Sequence, residues 1–129
     1  RVMSTILENL RYSQDHEWVR IEAQKAYVGI TDHAQSELGE IVYVELPPVG
    51  ERYEQGEEIS TVESVKAASA IINPIEGVVS EVNEELDGSP ELINEDCWAN
   101  HLYVLSPFEQ SQYDGLLSSD EYAAYLSSL

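Results

Sequence analysis

The chain has 129 residues, 43% hydrophobic and 24% charged, which is the balance of a globular domain rather than a disordered one. Acidic residues number 25 and basic ones 6, so the net charge of −19 repels nucleic-acid backbones and anionic lipid headgroups. Nucleic acid and anionic membrane surfaces are thereby excluded as partners. The length gives one domain, residues 1–129, with one core. No apolar run approaches the ~20 residues of a membrane span. The opening RVMSTILENLRY lacks the apolar region of a secretory signal, and residues 1–10 read as an irregular segment. Met3 is a candidate start, with Arg1 and Val2 left over from processing. The single cysteine, Cys97, forms no internal disulfide and fits a reducing compartment. The acid excess is first a solvated surface; it also steers the chain toward basic partner surfaces.

Short strands separated by turn signals follow. Glu17 to Ile21 and Ala26 to Ile30 alternate in character across a polar stretch, so they read as a hairpin. Thr31 or Asp32 then caps about two turns of helix that Gly39 ends. Ile41 to Leu46 is rich in β-branched residues and stops at Pro47-Pro48. From about 57 to 83 the chain reads as a long hairpin, with Pro74 and Gly77 bending its outgoing arm. Asp87 to Pro90 is a turn and Glu91 to Glu95 one helical turn. Leu102 to Leu105 is a last strand, closed by Pro107. Ser118-Ser119-Asp120-Glu121 opens a C-terminal helix over about 118–127, with a cap residue and early acids. The expected class is mainly β, a sandwich or partly closed barrel with short helices.

An enzyme is hard to find in this chain. It lacks a GxSxG elbow, a phosphate-binding glycine loop and an HExxH pair. His16, His33 and His101 have no metal-ligand spacing and read as turn or surface residues, so no metal site is expected. Cys97 follows Glu95 and Asp96, whose charges disfavour a thiolate. With 25 carboxylates present, a pair of them is expected by chance and identifies nothing.

Scarcity is more informative. Only Lys25 and Lys66 occur, and Lys25 falls in the polar stretch of the first hairpin. Lys66 falls between two strand-like arms, at or near a hairpin tip, and Ala67, Ala68, Ser69 and Ala70 follow it. Small neighbours leave room for a modifying enzyme and for a long substituent. A primary amine on a four-carbon stem is the usual nucleophile for attaching a prosthetic group by an amide. A lysine on a β tip is more often merely solubilising, so attachment stands here as a contender.

The residues around Lys66 carry a resemblance that goes further. Glu63-Ser64-Val65-Lys66-Ala67-Ala68-Ser69, followed by Pro74-Ile75-Glu76-Gly77-Val78-Val79, resembles the lipoyl-attachment region of the glycine cleavage system H protein family. His16-Glu17-Trp18-Val19-Arg20, Gly29 to Gln35, Leu38 to Pro47, Glu91 to Asn94 and Leu117 to Tyr122 match the family's other signatures in order. The likeness runs from about Arg11 to the C-terminus. It implies a β sandwich-barrel hybrid of the lipoyl/biotinyl hammerhead type, carrying lipoate by an amide to Lys66. It also implies a carrier rather than a catalyst. A pyridoxal-phosphate glycine decarboxylase loads an aminomethyl group, an aminomethyltransferase passes it on, and dihydrolipoyl dehydrogenase reoxidises the dithiol. A lipoate ligase or lipoyltransferase installs the group. A monomer is expected, in the bacterial cytoplasm or, in a eukaryote, the mitochondrial matrix.

In the family the loaded arm folds into a protective cleft, whose lining positions correspond here to Asp15, Glu17, Ile30 and Ala70. Ala70 departs from the family, which commonly has an acid there, and Asp15 with Glu17 is expected to compensate. Asp96 to His101 also departs, lacking two glycines and one residue. Trp98 takes either the place of the family's aromatic or that of its later tryptophan. These departures keep open a lipoyl relay to 2-oxoacid dehydrogenase complexes. A dehydrogenase-complex lipoyl domain fits less well, because it is a shorter module with an Asp before its lysine. Val65 and Ala67 stand where a biotin carrier has methionines. The alternative outside carriers is an interaction module that never receives lipoate.

Overall fold

The computed structural model describes residues 4–129. The candidate start Met3, with Arg1 and Val2, lies outside the described residues. Residues 4–10 contain no helix or strand.

Among the described residues, nine strands form two antiparallel sheets, neither of them closed. They are β1 (Arg11–Tyr12), β2 (Glu17–Glu22), β3 (Lys25–Ile30), β4 (Ile41–Glu45), β5 (Arg52–Tyr53), β6 (Glu58–Ser64), β7 (Ala68–Ile72), β8 (Gly77–Val82) and β9 (Tyr103–Phe108). Six of them run in the order β1-β2-β3-β9-β8-β5, and the other three in the order β4-β6-β7. The described residues also form five short helices: α1 (Asp32–Leu38), α2 (Glu85–Gly88) and α3 (Leu92–Glu95) between strands, and α4 (Gln110–Asp114) and α5 (Ser119–Ser127) after the last one.

The first hairpin forms as its alternation predicts, with Glu17 opposite Ile30 and Glu22 opposite Lys25. Apolar residues of both sheets, among them Val19, Val28, Ile30, Val62, Ile71, Val79 and Leu105, make the main core. A second cluster, Leu10, Tyr12, Trp18 and Tyr122, seats α5 against the six-stranded sheet. Trp18 packs so closely on Gly29 that a Cβ there would fall 2.4 Å from its ring. The helix ends follow their sequence signals. Thr31 caps α1 by accepting from the Ala34 amide, and Ser118 with Glu121 forms a capping box on α5.

Three expectations need correction. The long hairpin over 57–83 is shorter: β6 and β7 pair between Glu58 and Ile72, and β8 belongs to the other sheet. The chain leaves the ladder at the buried Asn73-Pro74-Ile75 segment, where proline supplies no N–H for continued pairing. Pro107 does not close the last strand. It lies within β9 where the β8 register slips between Gly77↔Phe108 and Val79↔Leu105, so the ladder bulges around it. Residues 85–88 are helical and take in the first half of the turn expected at 87–90, and α4 is an element that the sequence reading lacks.

Candidate functional site: the Lys66 tip and the cleft beside it

Lys66 occupies the end of the three-stranded sheet. Glu63 and Ala68 are the last paired residues of β6 and β7, and Ser64 closes the four-residue tip. The Ser64 amide donates to the Ala67 carbonyl at 2.7 Å. Its Oγ accepts from the Lys66 amide at 3.3 Å and the Ala67 amide at 3.1 Å. The Val65 amide donates to the Glu40 carbonyl at 3.0 Å, which ties the tip to the chain entering β4. The backbone under Lys66 is thus fixed while its side chain and those of Val65, Ala67 and Ala68 are exposed.

The lysine stem lies over the C-terminal end of α1. Gly39 holds φ +82 there, and a Cβ on it would sit 3.4 Å from Lys66 Cε and 3.9 Å from Nζ. An ammonium suits that position, since the last carbonyls of a helix carry partial negative charge. Asn94 of α3 braces the same corner. Its Nδ2 donates to the Gly39 carbonyl at 2.8 Å and to Gln35 Oε1 at 2.9 Å, and its Oδ1 accepts from the Ile41 amide at 2.9 Å. The sequence placed Asn94 within a family signature but gave no sign of this work.

A cleft of about 280 Å³ opens between α1, β7 and the turn before β2. Ile30, Leu38, Ala70 and Ile71 give it apolar walls, and Asp15 and Glu37 put exposed carboxylates on it. His16 and His33 complete the rim with their ring centroids 4.5 Å apart. His16 Nδ1 lies 2.8 Å from the Tyr122 hydroxyl, which lies 2.9 Å from Thr31 Oγ1. Partial burial, reinforced by His33, holds the His16 imidazole below the usual histidine range, with Asp15 and Glu37 pulling weakly the other way. A larger cleft of about 350 Å³ opens across the Ser13–His16 turn, but its lining brings no lysine.

Asp15, Ile30 and Ala70 therefore come together on the cleft, and Glu17 is not among its lining residues. Glu17 is 1% exposed. Its Oε1 accepts from Ser13 Oγ at 2.5 Å, and its Oε2 accepts from the Ile72 amide at 3.4 Å. Burial pushes its pKa up to about 8 against the lowering effect of Ser13, so at neutral pH it is mostly the uncharged acid. It links β2 of one sheet to β7 of the other. The charge facing the cleft from α1 is Glu37, which sequence reasoning missed because a lone surface glutamate among 25 acids carries no signal.

The other singled-out residues are structural. Cys97 is buried, and burial, with Asp32 and Asp96 nearby, pushes its thiol up to about 12. The loop from Asp96 to His101 closes without glycines. Asp96 Oδ1 accepts from the Trp98 and Ala99 amides, both at 3.1 Å, and Asn100 Nδ2 donates to the Asp96 carbonyl at 2.9 Å. Trp98 packs edge-on against Tyr12 at 6.3 Å, beside Trp18. Among the described residues, no group of three or more His, Cys, Asp or Glu side chains is placed to hold a metal ion. No described helix is long and apolar enough to cross a membrane.

Comparison with known proteins agrees with this geometry. The family model described as "Glycine cleavage H-protein" matches residues 10–129. The glycine cleavage system H protein of Alkaliphilus oremlandii is 56% identical over 116 residues, which is 90% of this chain and 91% of that protein. The one from Halalkalibacterium halodurans is 48% identical over 97% of this chain and 98% of its own. A crystal structure of a glycine cleavage system H protein from Mycobacterium marinum superposes with a TM-score of 0.84 at 36% identity. It covers 96% of this chain and 100% of that one. The chain belongs to the glycine cleavage H-protein family.

Proposed function

We propose that this chain is the lipoyl carrier of a glycine cleavage system and that Lys66 is the residue to which lipoate is joined. The observation that carries the assignment is the exposed Lys66 stem on a rigid tip, with its end beside a cleft that has apolar walls and a charged rim. The residues fit the group. Small side chains at Ala67, Ala68 and Ala70 leave a long arm free to swing, and Ile30, Leu38 and Ile71 give its apolar stem a surface on which to lie.

When bound, lipoate supplies a dithiolane that takes up an aminomethyl unit and offers it to a second enzyme. The chain's own residues do the rest. The Ser64 turn fixes the anchor point, and Asp15 and Glu37 present negative charge where a cationic amine would rest. The walls at Ile30 and Ile71 exclude water from whatever lies against them. Tethering raises the effective concentration of one reactive group at successive active sites, which is what a carrier adds to enzymes that do the chemistry. The partners are a glycine decarboxylase, an aminomethyltransferase, a dihydrolipoyl dehydrogenase and the enzyme that attaches lipoate. The compartment is the bacterial cytoplasm, as the bacterial relatives and the unpaired cysteine suggest.

Reconstitution tests the role. The lipoylated chain, added to glycine decarboxylase, is expected to support exchange of labelled bicarbonate into glycine, and Lys66→Arg is expected to abolish it. Lipoyl transfer to a 2-oxoacid dehydrogenase without any such exchange would instead identify a relay.

A further inference from the structure

The described residues leave five large apolar side chains exposed, and three of them surround the lysine tip. Val65, which precedes Lys66, is 67% exposed. Val42 and Tyr43 on β4 are 48% and 47% exposed. Two consecutive residues face outward because the β4–β6 register slips between Ile41 and Tyr43, which leaves Val42 as the extra residue of a bulge. Tyr43 lies opposite Glu63, and the Val65 amide is tied to the Glu40 carbonyl, so the three lie at the same end of the small sheet. β4 is also an edge strand, with no neighbour beyond it among the described residues. Around the patch stand the exposed carboxylates of Glu40, Glu45 and Glu63.

An apolar centre with an acidic rim fits a partner of the opposite pattern, an apolar surface ringed by basic side chains. A second copy of this chain, at a net charge of −19, does not offer one. The place of the patch selects among basic partners. An enzyme acting on the far end of an attached arm has no need to touch the tip. An enzyme that acylates the bare lysine must bring its active site to Nζ, and Val65 and Tyr43 then fall inside its footprint. In that reaction the uncharged Nζ bonds to the carboxyl carbon of an activated lipoyl group, an acyl adenylate or thioester. The activating group departs together with the proton lost from nitrogen.

We infer that Val42, Tyr43 and Val65, with their rim of Glu40, Glu45 and Glu63, form the docking surface for the enzyme that attaches lipoate to Lys66. The inference rests on the carrier assignment, and the test separates the two. Unlipoylated wild type, Tyr43→Ser/Val65→Ser and the remote control Val49→Ser are incubated with a lipoate–protein ligase, lipoate and ATP, and the mass gain is followed in time. The double variant is expected to lose at least ten-fold in kcat/KM, mainly through KM, while Val49→Ser matches wild type. Glu40→Gln/Glu63→Gln is expected to slow the reaction at low salt and to flatten its salt dependence. Forcing the double variant to full lipoylation with excess ligase provides a second readout. Its reduction by dihydrolipoyl dehydrogenase and NADH is expected to stay within two-fold of wild type. Lipoylation of the double variant within two-fold of wild type, or an equal loss in both assays, would overturn the assignment of the patch to the ligase. No mass gain in the wild type would overturn the carrier assignment, and this inference with it.

Discussion

Two segments carry equally recognisable sequence signatures and do opposite things in the fold. Glu17-Trp18 is buried scaffold: the two are 1% and 0% exposed, and every buried polar side-chain atom of theirs has a partner. Ser64 to Ala68 is a surface tip that buries only its turn-closing serine. A motif can persist because it packs or because it reacts, and burial tells the two apart. The first segment holds the sheets together, while the second displays an amine.

Substitutions are expected to divide along the same line. Trp18→Ala removes the largest side chain of the second core cluster and its indole bond to the Cys97 carbonyl. It is expected to cost about 3–5 kcal/mol, read as a lower urea midpoint with an unchanged slope. A loss below about 1 kcal/mol would mean that Trp18 does not anchor α5.

Glu17 gives the next largest effect, and it depends on pH. The unfolded chain releases this proton in the usual carboxyl range, whereas the folded chain holds it to about 8. Between those values the folded state binds the extra proton, so its stability falls as pH rises. Glu17→Gln keeps the shape without the charge. It is expected to remove a pH-dependent loss of roughly 4 kcal/mol between pH 5 and 9. Parallel wild-type and variant curves over that range would show that Glu17 ionises freely.

Cleft charge is expected to matter less. Asp15→Asn and Glu37→Gln should each speed hydrolytic loss of a carried amine several-fold in the isolated, loaded protein, without moving its melting temperature. Each removes one charge-assisted contact, worth about 1 kcal/mol at an exposed rim. Unchanged decay in both would place the amine elsewhere. Lys66→Arg comes last. It should leave stability within about 0.5 kcal/mol of wild type, as a substitution at an exposed site does, and calorimetry checks this directly.

Local chemistry was legible in the sequence and long-range pairing was not. Thr31, Gly39 and Ser118 announced helix ends because caps act within a few residues of their helix. Alternation announced β2 and β3 for the same reason. At Pro74 the sequence signals a bend but not the switch of the chain between sheets, because no local pattern names a strand's partner. The two-residue strands β1 and β5 are too short to carry a period. At the site, Lys66 stood out through scarcity and small neighbours, but the burial of Glu17 and the placing of Glu37 on the cleft depend on tertiary packing. Charged residues at both positions look alike in a chain so rich in acids.

The most direct measurement is an intact mass with peptide mapping after co-expression with a lipoate ligase and lipoate. A gain of one lipoyl group, confined to the Lys66 peptide and absent in Lys66→Arg, is expected. An unmodified Lys66, under conditions that lipoylate a control H protein, would contradict a carrier and leave an interaction module in its place.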